Sequence, residues 1–156
     1  HDPLGVPFYN CPTSGENVLV PIDAIIGGPE GAGKGWRMLM ECLAAGRGIS
    51  LPASSTAAAL MSARVAGAYA AVRKQFGLAI GRFEGIQEPL ARIAGNAYIL
   101  EAARRYTNGG LDSGAKPAVV TAMAKYAFTE AARQSLNDAM DILGGAAISR
   151  GPRNLL

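Results

Sequence analysis

The spacing of apolar positions changes near residue 33. Before it, apolar residues come in short runs broken by turn formers. Val18-Leu19-Val20 and Ile25-Ile26 read as strand pieces, bounded by Pro21 and Gly27-Gly28. Leu4–Tyr9 is a candidate to pair with one of them. So few strand residues make no independent sheet. They read as the last strands of a truncated β domain, covering residues 1–30. Residues 31–156 then form a helical-bundle domain, itself incomplete, because both ends read as cuts through a longer protein.

From about Gly33 the period becomes helical. Trp36, Met38, Leu39, Met40, Cys42 and Leu43 make an apolar first stretch. Pro52 falls inside the pattern and should kink or briefly break it. The stripe resumes as Ala57, Ala58, Leu60, Met61, Val65, Ala68, Tyr69 and Val72, at three- and four-residue spacings. Gly77 suits a helix end. A second helix starts between Glu84 and Pro89 and runs to about Asn108. Its buried side is Leu90, Ile93, Ala94, Ala97, Tyr98, Leu100 and Ala102, and Asn108-Gly109-Gly110 reads as the stop. A third runs from Pro117, a good first-turn residue, to about Ile142. Its stripe is Val120, Met123, Ala124, Ala127, Ala131, Leu136, Ala139, Met140 and Leu143, with Gly144-Gly145 after it. The fold expected is mainly α: an antiparallel bundle of three long helices, the first kinked near Pro52, preceded by a short β segment.

Composition agrees. Apolar residues make up 49% of the chain but aromatics only 6%, so the core must be built from Ala, Leu, Ile, Val and Met. Small residues suit helices that approach closely. The net charge of +3 is mild and the basic residues are scattered, which argues against nucleic-acid binding. No apolar run is long enough for a membrane span. His1 is the sole histidine, so His-based triads and metal sites are excluded. Cys11 and Cys42 make no disulfide framework. A reducing, cytoplasmic location fits, with peripheral membrane attachment as the alternative.

Two segments carry candidate chemistry. Gly28-Pro29-Glu30-Gly31-Ala32-Gly33-Lys34-Gly35 has the glycines and lysine of a phosphate-binding P-loop. Gly35 stands where a Mg²⁺-binding hydroxyl is needed, so a plain turn is the better reading. Arg73-Lys74-Gln75-Phe76-Gly77 places two cations and an aromatic at a helix end. On its own this suits either an anion contact or a complement to the helix dipole.

Three passages in register resemble the acyl-CoA dehydrogenase family. Residues 18–47, from Val-Leu-Val-Pro to Leu-Ala-Ala-Gly-Arg, resemble its passage from the β domain into the first C-terminal helix. Arg73–Gly77, with Ile86-Gln87 and Leu90-Ala91, resembles the turn between the first two C-terminal helices. Asp141-Ile142-Leu143-Gly144-Gly145 resembles the end of the third. The runs Gly46–Ile49 and Glu88–Gly95 are most similar to the long bacterial fatty-acyl-CoA dehydrogenases of β-oxidation.

The resemblance implies a flavin enzyme that oxidises an acyl-CoA to the trans-2-enoyl-CoA. A glutamate removes an α-proton while a hydride leaves the β-carbon for FAD. It implies that Arg73, Gln75 and Phe76 contact the FAD of a neighbouring subunit, together with Asp141, Gly144 and Gly145. Gln75 stands where many relatives have Thr, and Asp141 where Gln is more usual. Arg47 is implied near the acyl-CoA pocket, with a structural ion pair as the alternative. No catalytic residue is expected within the chain. The base is expected beyond Leu156, and Gly46 occupies the position where a minority of relatives carry it. The implied partners are acyl-CoA, an electron-transfer acceptor and further copies of the chain, as a dimer or tetramer. By itself the fragment is expected to be inactive. The competing function is a non-enzymatic helical interaction module.

Overall fold

The structure, a computed structural model, describes residues 12–116, 118–152, 154 and 156. The proposed pairing of Leu4–Tyr9, Cys11 and a helix start at Pro117 lie outside the described residues. The chain divides into two compact units, His1–Leu39 and Met40–Leu156.

Among the described residues of the first unit, Val18–Val20 and Ile25-Ile26 do not form the expected strands. Residues 18–20 are irregular, and the chain then makes two single-turn 3-10 helices, Ile22–Ala24 and Pro29–Gly31. Local hydrogen bonds such as Ala24 N–H to Pro21 O (3.0 Å) and Gly28 N–H to Ile25 O (2.8 Å) replace a ladder. Among the described residues no strand lies beside them, and a two- or three-residue apolar run does not hold extended without one. Leu19 is 98% exposed.

Helix α1 spans Gly35–Val72 and runs unbroken through Pro52. Pro52 removes one backbone donor. Its own carbonyl is doubly used, since the Thr56 hydroxyl donates to it at 2.8 Å. The buried face of α1 is not the expected stripe. Ser55, Thr56, Ala59, Ser62, Ala66 and Ala70 point inward. Met61 and Val72 face outward, 50% and 75% exposed. The Thr56 and Ser62 hydroxyls are satisfied by carbonyls one turn back, Ser62 to Ala58 at 2.9 Å, so they can be buried beside alanine.

The helix stops four residues before the expected Gly77. A two-stranded antiparallel hairpin follows, β1 (Lys74–Gln75) and β2 (Leu78–Ala79), with Gln75 opposite Leu78. A 3-10 turn, Ile80–Arg82, leads into α2 (Glu84–Asp112). Gly109-Gly110 does not end α2. Gly114 does, at φ +83°. Ala115 N–H reaches Gly110 O at 3.0 Å and Gly114 N–H reaches Leu111 O at 2.9 Å, the two bonds of a Schellman cap. Helix α3 (Ala118–Leu143) ends at Gly144, φ +58°, and a single further turn, α4 (Gly145–Ile148), follows.

Two apolar clusters tie the helices together. One joins Ala66 and Ala70 of α1, Ile80, Ile93 of α2, Ala139, Ile142 and Leu143 of α3, and Ala147 of α4. The other joins Ala59, Ala97, Leu100, Ala124 and Phe128. Residue numbers rise along α1 and α3 where they fall along α2, so the bundle runs up, down, up, as expected. On α2 the buried positions Ile93, Ala97 and Leu100 match the expected stripe, but Tyr98 is 78% exposed. On α3, Ala124, Ala139 and Leu143 match, whereas Met123 is outside and Phe128 inside. No helix of the described residues is long and apolar enough to cross a membrane.

Candidate functional site

The hairpin is short because its two central residues both have positive φ, Phe76 at 53° and Gly77 at 81°. A two-residue type I′ turn requires this, since its twist matches the flanking strands. Gly77 adopts it freely. A bulky residue at Phe76 does so only with strain, about 1–2 kcal/mol. Its side chain buries nothing in exchange, being 94% exposed. The ring instead meets Phe83 edge-on, centroids 6.3 Å apart at 88°. Phe83 packs in turn against the first apolar cluster. A strained, outward-facing aromatic of this kind marks a functional tip more often than a structural one.

Charge around the hairpin has a matching character. The four arginines of α2 and α3 are all paired with carboxylates: Arg92 with Asp138 (2.7 Å), Arg104 and Arg105 with Glu101 (2.8 and 2.6 Å), Arg133 with Glu130 (2.7 Å). The two guanidiniums hold the Glu101 carboxyl down at about 2, chiefly through their hydrogen bonds. Arg73, Lys74 and Arg82 are exposed and have no such partner among the described residues. Unpaired cations on one short turn are a ready contact for an external anion. The Gln75 amide is occupied within the turn, donating to Lys74 O at 2.7 Å.

The structure brings this turn to the same end of the bundle as Asp141, Gly144 and Gly145. Ile80, just after the hairpin, and Leu143, just before Gly144, share one cluster. Asp141 and both glycines are exposed, and a Cβ added at Gly144 or Gly145 would meet nothing within 4 Å. These glycines therefore leave an open surface. Their requirement is conformational at Gly144, where φ is positive.

Arg47 is not brought to this end. Along α1 it lies 26 residues from Arg73, roughly 39 Å at the helical rise. It is exposed, and the ion pair offered as its alternative role is not formed among the described residues. Its neighbour Gly48 is buried against α3, where a Cβ would come within 2.7 Å of Thr121 Cγ2. Near that far end, an open groove of about 440 Å³ is lined by Arg105, Tyr106, Thr107, Ser113 and Val120.

The P-loop reading fails on geometry. No strand precedes Gly28 among the described residues. The N–H groups of Gly28, Gly31, Ala32 and Lys34 are all spent on nearby carbonyls rather than converging on a cradle. Sequence reasoning passed over Arg82 and Phe83. The signal for both was the two-residue gap between Lys74-Gln75 and Leu78-Ala79, which brings the residues after Gly77 back beside Arg73.

Comparison with known proteins bears on the helical bundle as a whole. The family model "Acyl-CoA dehydrogenase, C-terminal domain" matches residues 33–154. Over 153 residues the chain is 36% identical to a 3-(aryl)acrylate reductase of Clostridium sporogenes, covering 92% of this chain and 37% of that protein. Over 68 residues it is 60% identical to Protein HemX of Proteus mirabilis, covering 44% of this chain and 40% of that protein. The chain thus spans about two fifths of the length of these curated relatives. No solved structure gives a significant match. The chain belongs to the acyl-CoA dehydrogenase C-terminal domain family.

Proposed function

We propose that this chain is the C-terminal bundle of a flavin-dependent oxidoreductase acting on an acyl-CoA. Its hairpin end supplies part of an FAD site that a neighbouring subunit completes. The observation that carries the reading is the set of three exposed cations in and beside the hairpin, unpaired among the described residues, next to an aromatic held outward at strained φ. A diphosphate carries the complementary charge, and a guanidinium matches it two-pronged. Phe76 offers a ring face or edge to a planar ligand, and Gln75 a side-chain oxygen. The backbone at Gly145 is approachable because no side chain covers it, whereas the Gly144 N–H is spent on Met140 O. Asp141 fits less well, since a carboxylate repels phosphate; it suits a sugar hydroxyl.

Bound flavin supplies the hydride acceptor or donor. The chain's own part is to hold anionic groups, orient them and exclude water. No residue here acts as base, which is assigned to the rest of the protein. The division at residue 30, between the end of a β domain and the bundle, belongs to the same reading. So do Arg47 beside the acyl-CoA pocket, an electron-transfer acceptor, fatty-acid β-oxidation and a cytoplasmic location. Large apolar side chains on the outer faces, such as Trp36, Tyr98 and Met123, support self-association as a dimer or tetramer.

A second reading rests on the reductase relative: the same flavin chemistry run toward saturation of a conjugated double bond. Both are tested on the intact protein that carries this chain. Bound flavin is read from its absorption. Acyl-CoA with an artificial acceptor, and an arylacrylate with a reduced donor, are then compared as substrates. Absence of flavin, together with no turnover in either direction, would leave the helical interaction module as the better account.

A further inference from the structure

The interface between α2 and α3 mixes large and small apolar residues. Ala97, Ala124 and Ala139 present a methyl apiece among Ile93, Leu100 and Phe128. The alanine positions resist axial sliding less than the large knobs do, which leaves room for a polar pair to fix the register. A polar seam runs along the same interface. Arg92 donates through Nε to Asp138 Oδ2 at 2.7 Å and through Nη2 to Oδ1 at 2.8 Å. One turn further, Asn96 Nδ2 donates to Ser135 Oγ at 3.2 Å, and Ser135 is fully buried. The Asp138 side chain is 13% exposed. Glu88 adds only a looser, solvated contact to Arg92 at 3.5 Å.

Arg92 and Asp138 are each one residue from members of the first apolar cluster, Ile93 and Ala139. That cluster also contains Ile80, behind the hairpin, and Leu143, before Gly144. We propose that the Arg92–Asp138 fork sets the register of α2 on α3. It thereby sets the spacing between the Arg73–Arg82 turn and the Asp141–Gly145 turn. A two-pronged pair tolerates only a small offset, whereas a helix slips in steps of about one turn, ~5 Å. Arg92 is thus a positioning residue for the surface that the proposed function assigns to FAD. The register claim itself holds whether or not that ligand is correct.

The direct test is a distance. Spin labels at Leu78→Cys and Ile148→Cys, both exposed in the structure, are placed in the chain with Cys11 and Cys42 changed to Ser. The expected result is one narrow distance distribution that broadens or shifts by about a turn, ~5 Å, in the near-isosteric Asp138→Asn variant. Arg92→Lys keeps the charge but not the fork, and should not restore the narrow peak. Phe128→Leu, which loosens the other cluster, should leave it narrow. An unchanged distribution in Asp138→Asn, full restoration by Arg92→Lys, or equal broadening in Phe128→Leu each overturns the proposal. In the intact protein, FAD titration should show about a tenfold weaker affinity for Asp138→Asn. If Asp138→Asn moves the label distance but wild type binds no FAD, the register stands and the flavin reading falls.

Discussion

The hairpin and the shaft formed by α2 and α3 handle charge and strain in opposite ways. Along the shaft, all four arginines are neutralised by carboxylates. Its large inward side chains, Ile93 and Phe128, are buried. In the hairpin the cations are bare, the largest side chain points into solvent and the backbone at Phe76 is strained. The shaft is organised to be satisfied by itself. The hairpin is organised to be satisfied by something else.

The largest effect should come from breaking the shaft. Ile93 is fully buried at the junction of all three long helices. Ile93→Ala should cost about 2–5 kcal/mol, read by denaturant unfolding. A loss under ~1 kcal/mol would mean the first cluster is not the core that holds the hairpin end. Next comes Arg73→Ala in the intact protein. It should weaken FAD about 10- to 100-fold, the worth of a charge-assisted hydrogen bond, while leaving Tm unchanged. A Tm drop with unaltered affinity would make Arg73 structural and erase the contrast.

A smaller change has an unusual sign. Phe76→Asn puts a residue tolerant of positive φ into the turn. The chain should gain up to about 1 kcal/mol, because relieved strain exceeds an exposed ring pair. A lower melting temperature would show that the Phe76–Phe83 contact outweighs the strain. The smallest effect is pH-dependent. The Glu101 carboxyl, held at about 2 against an ordinary 4.5, stabilises the fold fully above 4.5 and loses that contribution as pH falls toward 2. Glu101→Gln should remove this part of the acid slope without altering stability differences above pH 5. Identical acid titration curves for the two proteins would count against it.

The helices could be read from the sequence because Ala-rich, three- and four-residue periodicity persists over long stretches. Which face turns inward could not be read on α1. Alanine is found on all sides of it, and Thr56 and Ser62 look polar until their hydroxyls bond back to the helix. Glycines misled twice, for one reason. Gly77 and Gly109-Gly110 were expected to stop helices, but residue type does not reveal φ; Gly77 lies in a hairpin, and the actual cap is Gly114. Val18–Val20 has strand composition but no partner strand among the described residues. As for the site, Arg73, Gln75, Phe76, Asp141, Gly144 and Gly145 were suggested by family resemblance. Their gathering at one end depends on Ile80 and Leu143 joining one apolar cluster, which no local pattern encodes.

Gly48 shows how narrow the tolerance between α1 and α3 is. A single methyl there would collide with Thr121, while a methyl two residues earlier, at Gly46, would meet only open space. In a saturation library these neighbours should therefore behave as opposites: Gly46 free to vary, Gly48 refusing even alanine. The closeness of two helices would then be recorded as one forbidden letter beside a permissive one.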